Sequence, residues 1–245
     1  MKKTIFYYLG ILWAMGTLSG CEDETALEYG NDPRLYFYND QYGQRDSIAH
    51  SFFVLRDDQM LDTVWLDVRT MGDVADYDRP VELVLTNVGK LDAAVPGTHF
   101  LAFDNAEVKK WMVIPTGQVK TLIPIVIKRD QSLKSSVIRF ELAVGENQYF
   151  KPGIDKWSTF VITTTEMAAK PDLWDTWWKH TFGTWGAVKM KFIVDYVGYS
   201  DFDVRVSDSG YRNYLIGKAK QKLLEYNLAH PNKELKEADG TPVEF

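Results

Sequence analysis

A chain of 245 residues that is 45% hydrophobic, 14% aromatic and 25% charged has enough apolar mass for a buried core, which excludes disorder along its whole length. Its single cysteine excludes an internal disulfide framework. With 28 basic against 34 acidic residues and a formal net charge of −6, it lacks the basic excess that phosphate neutralisation needs, so nucleic acid is not an expected partner.

Taken in chain order, Lys2 and Lys3 form a positive n-region. Residues 5–13 form an apolar run of signal-peptide length, short of the roughly 20 residues that span a bilayer. Leu18-Ser19-Gly20-Cys21 then places small residues directly before the only cysteine, the form of a bacterial lipobox. The expected product is cleaved after residue 20 and lipidated at Cys21, with each buried methylene of the anchor contributing about 0.8 kcal/mol. Residues 21–33 read as a flexible tether ending in Gly30-Asn31-Asp32-Pro33. Within it, Glu22, Asp23 and Glu24 are either a solvated part of that tether or an export signal.

From Arg34 the pattern becomes strand-like. Leu35-Tyr36-Phe37-Tyr38 is a short aromatic run, and Ile48, Phe52 and Val54 follow a period of two with one break. Val64, Leu66 and Val68 alternate with Trp65, Asp67 and Arg69, a half-buried strand. Val81, Leu83 and Leu85 share one parity. Residues 111–114 are expected to be a strand before the turn Pro115-Thr116-Gly117. The β-branched run 119–127 reads as a strand buried on both faces. Residues 137–144 and 157–164 complete roughly eight strands, an antiparallel sandwich over 34–166.

After Thr165 the period changes. Leu173, Trp174, Trp177, Trp178 and Phe182 share a helical face that Gly183 closes. The stretch 187–197 fits a strand or a helix, with helix preferred because Thr184 can cap it and Gly198 can end it. Tyr211, Tyr214, Leu215, Ala219, Leu223 and Tyr226 mark a longer helix, with Ser209 as cap and Pro231 beyond its end. A small helical module over 171–231 is therefore expected to pack on the sandwich through its aromatic stripe. Residues 232–245 are polar and expected to be ordered, if at all, only by packing.

These pieces resemble a known family. The lipobox is followed by Ala94-Val95-Pro96-Gly97-Thr98-His99-Phe100, then Val113-Ile114-Pro115-Thr116-Gly117 and residues 122–129, LIPIVIKR. The tail carries Trp174, Phe182-Gly183-Thr184-Trp185-Gly186 and Lys189. The chain resembles a Bacteroidota family of surface lipoproteins with a domain of unknown function, usually encoded beside SusC/SusD-type nutrient transporters. The first two stretches also resemble Calx-β modules. The resemblance implies an Ig-like or Calx-β-like sandwich, and it implies lipid anchoring in the outer membrane with the protein facing the cell exterior. It makes Glu22, Asp23 and Glu24 similar to a surface-export signal and SusC/SusD components the expected partners. It transfers no catalytic residues.

Chemistry-bearing constellations are sparse. His50, His99, His180 and His230 have no metal-ligand spacing. Asp73, Asp76 and Asp78 could offer oxygens to calcium, yet lack the glycine and closing glutamate of an EF-hand; a solvated turn between strands, with one aspartate pairing Arg79, is the preferred reading. Asp201, Asp203 and Asp208 fit turn and helix-start roles. No serine lies in a G-x-S-x-G elbow, no free thiol remains once Cys21 is lipidated, and no glycine-rich phosphate loop opens a helix. The expectation is a non-enzymatic protein without cofactor or metal. Trp177, Trp185, Trp65 and Trp111 are the candidate platform for glycan, peptide or partner, with Trp185 between two glycines expected to be the most exposed. A hydrolase of the same nutrient system and a structural envelope lipoprotein without ligand remain as alternatives.

Overall fold

The computed structural model describes residues 32–38, 46–153 and 155–245. The lipobox, Cys21 and the acidic cluster Glu22-Asp23-Glu24 lie outside them. No helix among the described residues is long and apolar enough to cross a membrane.

Alternation builds the β layers. In β3 (Leu61–Met71), Val64, Leu66 and Val68 turn inward and leave Trp65, Asp67 and Arg69 on the outer face. β3 pairs antiparallel with β1 (Arg34–Tyr38) and with β7 (Lys120–Lys128), and β1 also pairs with the two-residue β9 (Lys151–Pro152), giving a sheet ordered β7-β3-β1-β9. The second sheet is ordered β2-β10-β8-β5, from β2 (Ser47–Ser51), β10 (Thr159–Thr165), β8 (Ile138–Val144) and β5 (Leu83–Leu85). β4 (Arg79–Pro80) and β6 (Val113–Ile114) form a separate two-stranded ladder. The fold is mainly β, as expected, but the sheets are mixed: β9 runs parallel to β1, and β2 runs parallel to β10.

Inward rows of both sheets share one core. Leu35 and Phe37 of β1, Ile123, Ile125 and Ile127 of β7, Phe140 and Leu142 of β8 and Phe160 and Ile162 of β10 are all buried in it. Phe37 and Phe160 meet across the layers with ring centroids 5.7 Å apart. Burying each such side chain contributes about 1.5–3 kcal/mol. Two strand expectations need correction. β7 is an edge strand whose isoleucine face is fully inside, while on its other face Pro124 is buried and Leu122 is 51% exposed. That edge position accommodates Pro124, which has no N–H to donate. Trp111 is not in a strand, because α1 (Ala106–Lys109) and the turn after it occupy residues 106–112.

The C-terminal part is helical and has its own core. A π-helical turn, Trp174–Trp178, leads into α2 (Lys179–Phe182), which ends at Gly183 with φ +78°. α3 (Ala187–Phe192) continues as a second π-helical turn, Ile193–Val197, which ends on the left-handed Gly198. α4 (Ser209–Ala229) is the long helix. Residues 187–197 are thus helical. Trp174, Trp178 and Phe182 are fully buried together with Ile193, Phe202 and Leu215. Both indoles are satisfied there, Trp174 Nε1 donating to Gly183 O at 3.0 Å and Trp178 Nε1 to Phe202 O at 2.8 Å. The stripe expected to cover the sandwich instead fills this second core, to which the segment after β2 contributes only Phe53 and Val54.

Polar groups tie the two cores together. Arg129, at the end of β7, is buried; it donates to the carbonyls of Phe52, Arg56 and Gln59 and pairs with Glu166 at 3.2 Å. Lys191 of α3 donates to Leu55 O at 2.8 Å and pairs with Asp57 at 2.9 Å and Asp195 at 2.8 Å.

The caps differ from those expected. Asp208, not Ser209, caps α4 by accepting from Tyr211 N at 3.1 Å. For α3, Gly186 stands at the N-cap in place of Thr184, and the accepting carboxylate comes from the tail: Glu237 takes the amides of Val188 and Lys189, each at 2.9 Å. A Cβ on Gly186 would lie 2.0 Å from Glu237 Oε1, so glycine leaves the room that carboxylate needs. Residues 232–245 are accordingly ordered, with Val243 buried and Phe245 packed on the helical core.

Candidate functional site: an aromatic face on the first sheet

The outer face of the first sheet is set by its register. Trp65 lies opposite Pro124, Asp67 lies between Tyr38 and Leu122, and Arg69 lies between Tyr36 and Lys120. Residues opposite one another share a face, so three strands spaced about 4.8 Å apart present these rows outward. Trp111 joins them from the turn after α1. Asn105 caps that helix by accepting from Glu107 N, and Val108 and Met112 are buried as anchors. Trp111 N donates to Val108 O at 3.0 Å, and the turn directs the indole outward. The Trp65 and Trp111 rings meet edge to face, with centroids 5.4 Å apart and planes at 78°. They remain 47% and 45% exposed. Arg69 lies over the Tyr38 ring, 3.3 Å from its centroid, and forms two bonds to the Asp67 carboxylate at 3.0 and 2.8 Å. Exposed indoles, an apolar Leu122 and an orienting polar pair thus occupy one surface, the composition of a binding face.

The structure brings together only this pair of the four candidate tryptophans. Trp177 and Trp185 are half-buried against the helical core, and neither enclosed indole N–H has a hydrogen-bond partner among the described residues. The expectation that Trp185 would be the most exposed is corrected on that ground.

Asp73, Asp76 and Asp78 are exposed, and among the described residues no three His, Cys, Asp or Glu side chains are grouped to hold a metal ion. Asp78 has a structural role: its carboxylate accepts from Thr116 N at 2.8 Å and Thr116 Oγ1 at 2.9 Å, which fastens the loop to the 115–117 turn and lowers its pKa. Asp208 serves as the helix cap described above.

Two histidines stand in arrangements that resemble catalytic ones. His50 Nδ1 lies 2.8 Å from Thr164 Oγ1 and its Nε2 lies 2.9 Å from Asp62 Oδ2. Thr164 is 0% exposed, so no substrate reaches its hydroxyl. Burial outweighs the Asp62 carboxylate and lowers the His50 pKa. His99 Nδ1 accepts from Val95 N at 2.9 Å, which leaves Nε2–H to donate to Ser132 Oγ at 3.0 Å; Ser132 in turn donates to Asp130 at 2.7 Å. The proton direction is the reverse of serine activation, where histidine must accept. Both groups are structural polar networks of the sandwich.

Fold and site together define a two-layer β protein with a helical C-terminal module and an exposed aromatic face on one sheet. The chain belongs to the family described as "Domain of unknown function (DUF4843)", which matches residues 29–199. None of the curated proteins matches it. Among solved structures, a two-domain protein of unknown function from Bacteroides fragilis NCTC 9343 is similar at 11% identity and TM-score 0.36, over 56% of this chain and 46% of that one. A "putative carbohydrate binding protein" from Bacteroides ovatus ATCC 8483 is similar at 14% identity and TM-score 0.34, over 55% and 37% of the respective chains. A protein of unknown function from Bacteroides ovatus gives 18% identity and TM-score 0.35, over 53% and 43%. The chain spans less than half the length of each of these neighbours.

Proposed function

We propose that this protein is a non-enzymatic lipoprotein of the outer-membrane surface, an accessory of a SusC/SusD-type nutrient-uptake system, and that it holds glycan on the outer face of its first sheet. The observation that carries the binding role is the exposed edge-to-face pair of Trp65 and Trp111 beside the Asp67–Arg69 pair. A pyranose ring packs its C–H face on an indole while its equatorial hydroxyls reach neighbouring polar groups, and this surface offers both. Two large side chains left this exposed contribute little to the core they border. The anchor rests on Leu18-Ser19-Gly20-Cys21, surface display on Glu22-Asp23-Glu24, and the transporter partnership on the family resemblance.

Affinity electrophoresis of the mature protein through gels containing a polysaccharide panel tests the binding role. Retardation by at least one glycan is expected, and Trp65→Ala and Trp111→Ala should each abolish it while lowering the melting temperature by no more than about 4 °C. Wild-type mobility unchanged by every glycan, together with capture of a peptide ligand by the same face, would replace glycan with peptide in this reading. Retardation that survives the double substitution would remove the face from it.

A further inference from the structure

A second site lies in the helical module, at a cleft of about 570 Å³ where the face carrying Trp177, His180 and Thr181 meets the α4 face carrying Arg212, Asn213 and Lys220. The spacings i, i+3, i+4 on one helix and i, i+1, i+8 on the other place each set on one side. Its volume falls within the range of small-molecule sites. The family match ends at residue 199, so the α4 half of the cleft lies beyond it.

The side chains lining this cleft include Arg212 and Lys220 and no Asp or Glu. Arg212 is half-buried and donates through one nitrogen to the carbonyls of Val206 and Ser207; neither acceptor is a carboxylate. Arg205 and Arg212 both lie over the Trp177 ring, with guanidinium carbons 5.7 and 5.3 Å from its centroid. Lys220 lines the cleft without an ion pair among the described residues, although acidic residues outnumber basic ones in the chain. An indole that holds two guanidiniums by cation–π attraction fixes their direction before a ligand arrives, which reduces the ordering cost of binding. Fixed cations with hydrogen-bond donors to spare recognise carboxylate or sulfate, the guanidinium fork best of all.

The remaining lining narrows the ligand. Among the described residues Thr181 and Asn213 make no side-chain hydrogen bond, and both can donate and accept, as hydroxyl groups require. Ile216 and Phe245 supply an apolar wall. Cations for an acid group, uncommitted hydroxyl and amide for sugar hydroxyls, and an apolar wall for a C–H face describe one chemistry. We infer that this cleft binds an acidic saccharide, a sugar bearing carboxylate or sulfate. Trp177 acts there as the support of Arg205 and Arg212 and not as a stacking platform. The inference stands independently of the Trp65–Trp111 face.

Titration calorimetry on the full mature chain tests it, with oligogalacturonate, its fully methyl-esterified form, a chondroitin sulfate oligosaccharide and a poly-glutamate peptide as probes. At least one acidic saccharide should bind saturably and at least about tenfold tighter than the neutral ester, weakening as salt rises. The uronate and sulfate arms identify which acid group is read. Arg212→Gln should lower affinity about tenfold. Because Arg212 also holds the 206–207 backbone, Lys220→Gln provides a variant that leaves the fold intact; it should lower affinity severalfold at unchanged melting temperature. Trp65→Ala should leave this binding unaltered, which separates the two sites. The inference is overturned if no acidic saccharide binds, if the methyl ester binds equally well, if Lys220→Gln and Arg212→Gln both bind as wild type, or if poly-glutamate binds more tightly than every sugar.

Discussion

The carboxylate of Glu237 reaches from the tail to the first turn of α3, and removing it should loosen the helical module. Glu237 accepts two amide hydrogen bonds, to Val188 and Lys189, at a helix N-terminus where the backbone has no other acceptor. A cap of this kind contributes about 0.5–2 kcal/mol and charge-assisted bonds somewhat more, so Glu237→Ala should cost about 1–3 kcal/mol. In a domain of this size that is a melting-point loss of roughly 2–4 °C per kcal/mol. Gly186→Ala tests the same contact from the other side. Gly186 has extended backbone at φ −152°, which alanine adopts freely, so its only conflict is the new Cβ at 2.0 Å from the carboxylate. Alanine there displaces Glu237 and should cost about as much as Glu237→Ala. In the double variant the clash is gone, and the total should be close to either single value. Urea unfolding of the four proteins measures this cycle. Penalties that add would refute the reasoning, as would a Glu237→Ala protein within about 0.5 kcal/mol of wild type.

The tryptophans should separate by role: Trp178→Ala costs about 3–5 kcal/mol in urea unfolding because it empties the helical core, whereas Trp65→Ala and Trp111→Ala stay within about 1 kcal/mol. Arg129→Ala should cost about 3–5 kcal/mol, since it strands Glu166 and three carbonyls, and a loss under 1 kcal/mol would show that the guanidinium is dispensable. Burial lowers the pKa values of His50 and His99 from 6.5, so the unfolded chain takes up protons first as pH falls. Stability should therefore be complete above about pH 6.5 and decline below it, by at most about 1.4 kcal/mol per pH unit for each histidine. Urea midpoints at pH 7.5 and 5.5 for wild type and for the paired His50→Gln, His99→Gln variant check this, and equal slopes in both proteins would exclude these imidazoles as the cause. Cys21→Ala should move the protein from the membrane to the soluble fraction of cells, and unchanged fractionation would remove the anchor.

Much of the fold is legible because period and burial coincide locally. The alternation at 64–69 faces Trp65 outward in the structure as it does in the sequence, and Gly183 and Gly198 end helices where an αL-tolerant residue was expected to. Departures occur where a distant segment decides. The apolar run of β7 suggests two buried faces, yet on its outer face Pro124 is buried while Leu122 is left facing solvent. Glu237 caps a helix about fifty residues earlier in the chain, and no local capping signature anticipates an acceptor supplied from the tail. Thr184, the nearer oxygen, instead gives its carbonyl to the buried Lys189 ammonium at 2.8 Å.

The candidate site shows the same division. Strand parity places Trp65 on the face away from the core but leaves solvent or a second layer open as its neighbour, whereas Trp111 depends on a short helix that replaces the expected strand. A density of tryptophan between 174 and 185 draws attention to the helical module, but density measures packing demand as readily as exposure. Trp174 and Trp178 satisfy their N–H groups on backbone carbonyls inside the core, so they are committed to structure. Trp65 and Trp111, 46 residues apart in sequence, are the ones left open to solvent. Trp177 is intermediate: its packed side belongs to the core, and its ring carries the guanidiniums of Arg205 and Arg212, of which Arg212 lines the cleft. Residue type therefore names the candidates, and only the partners of each indole separate a structural tryptophan from one that meets solvent.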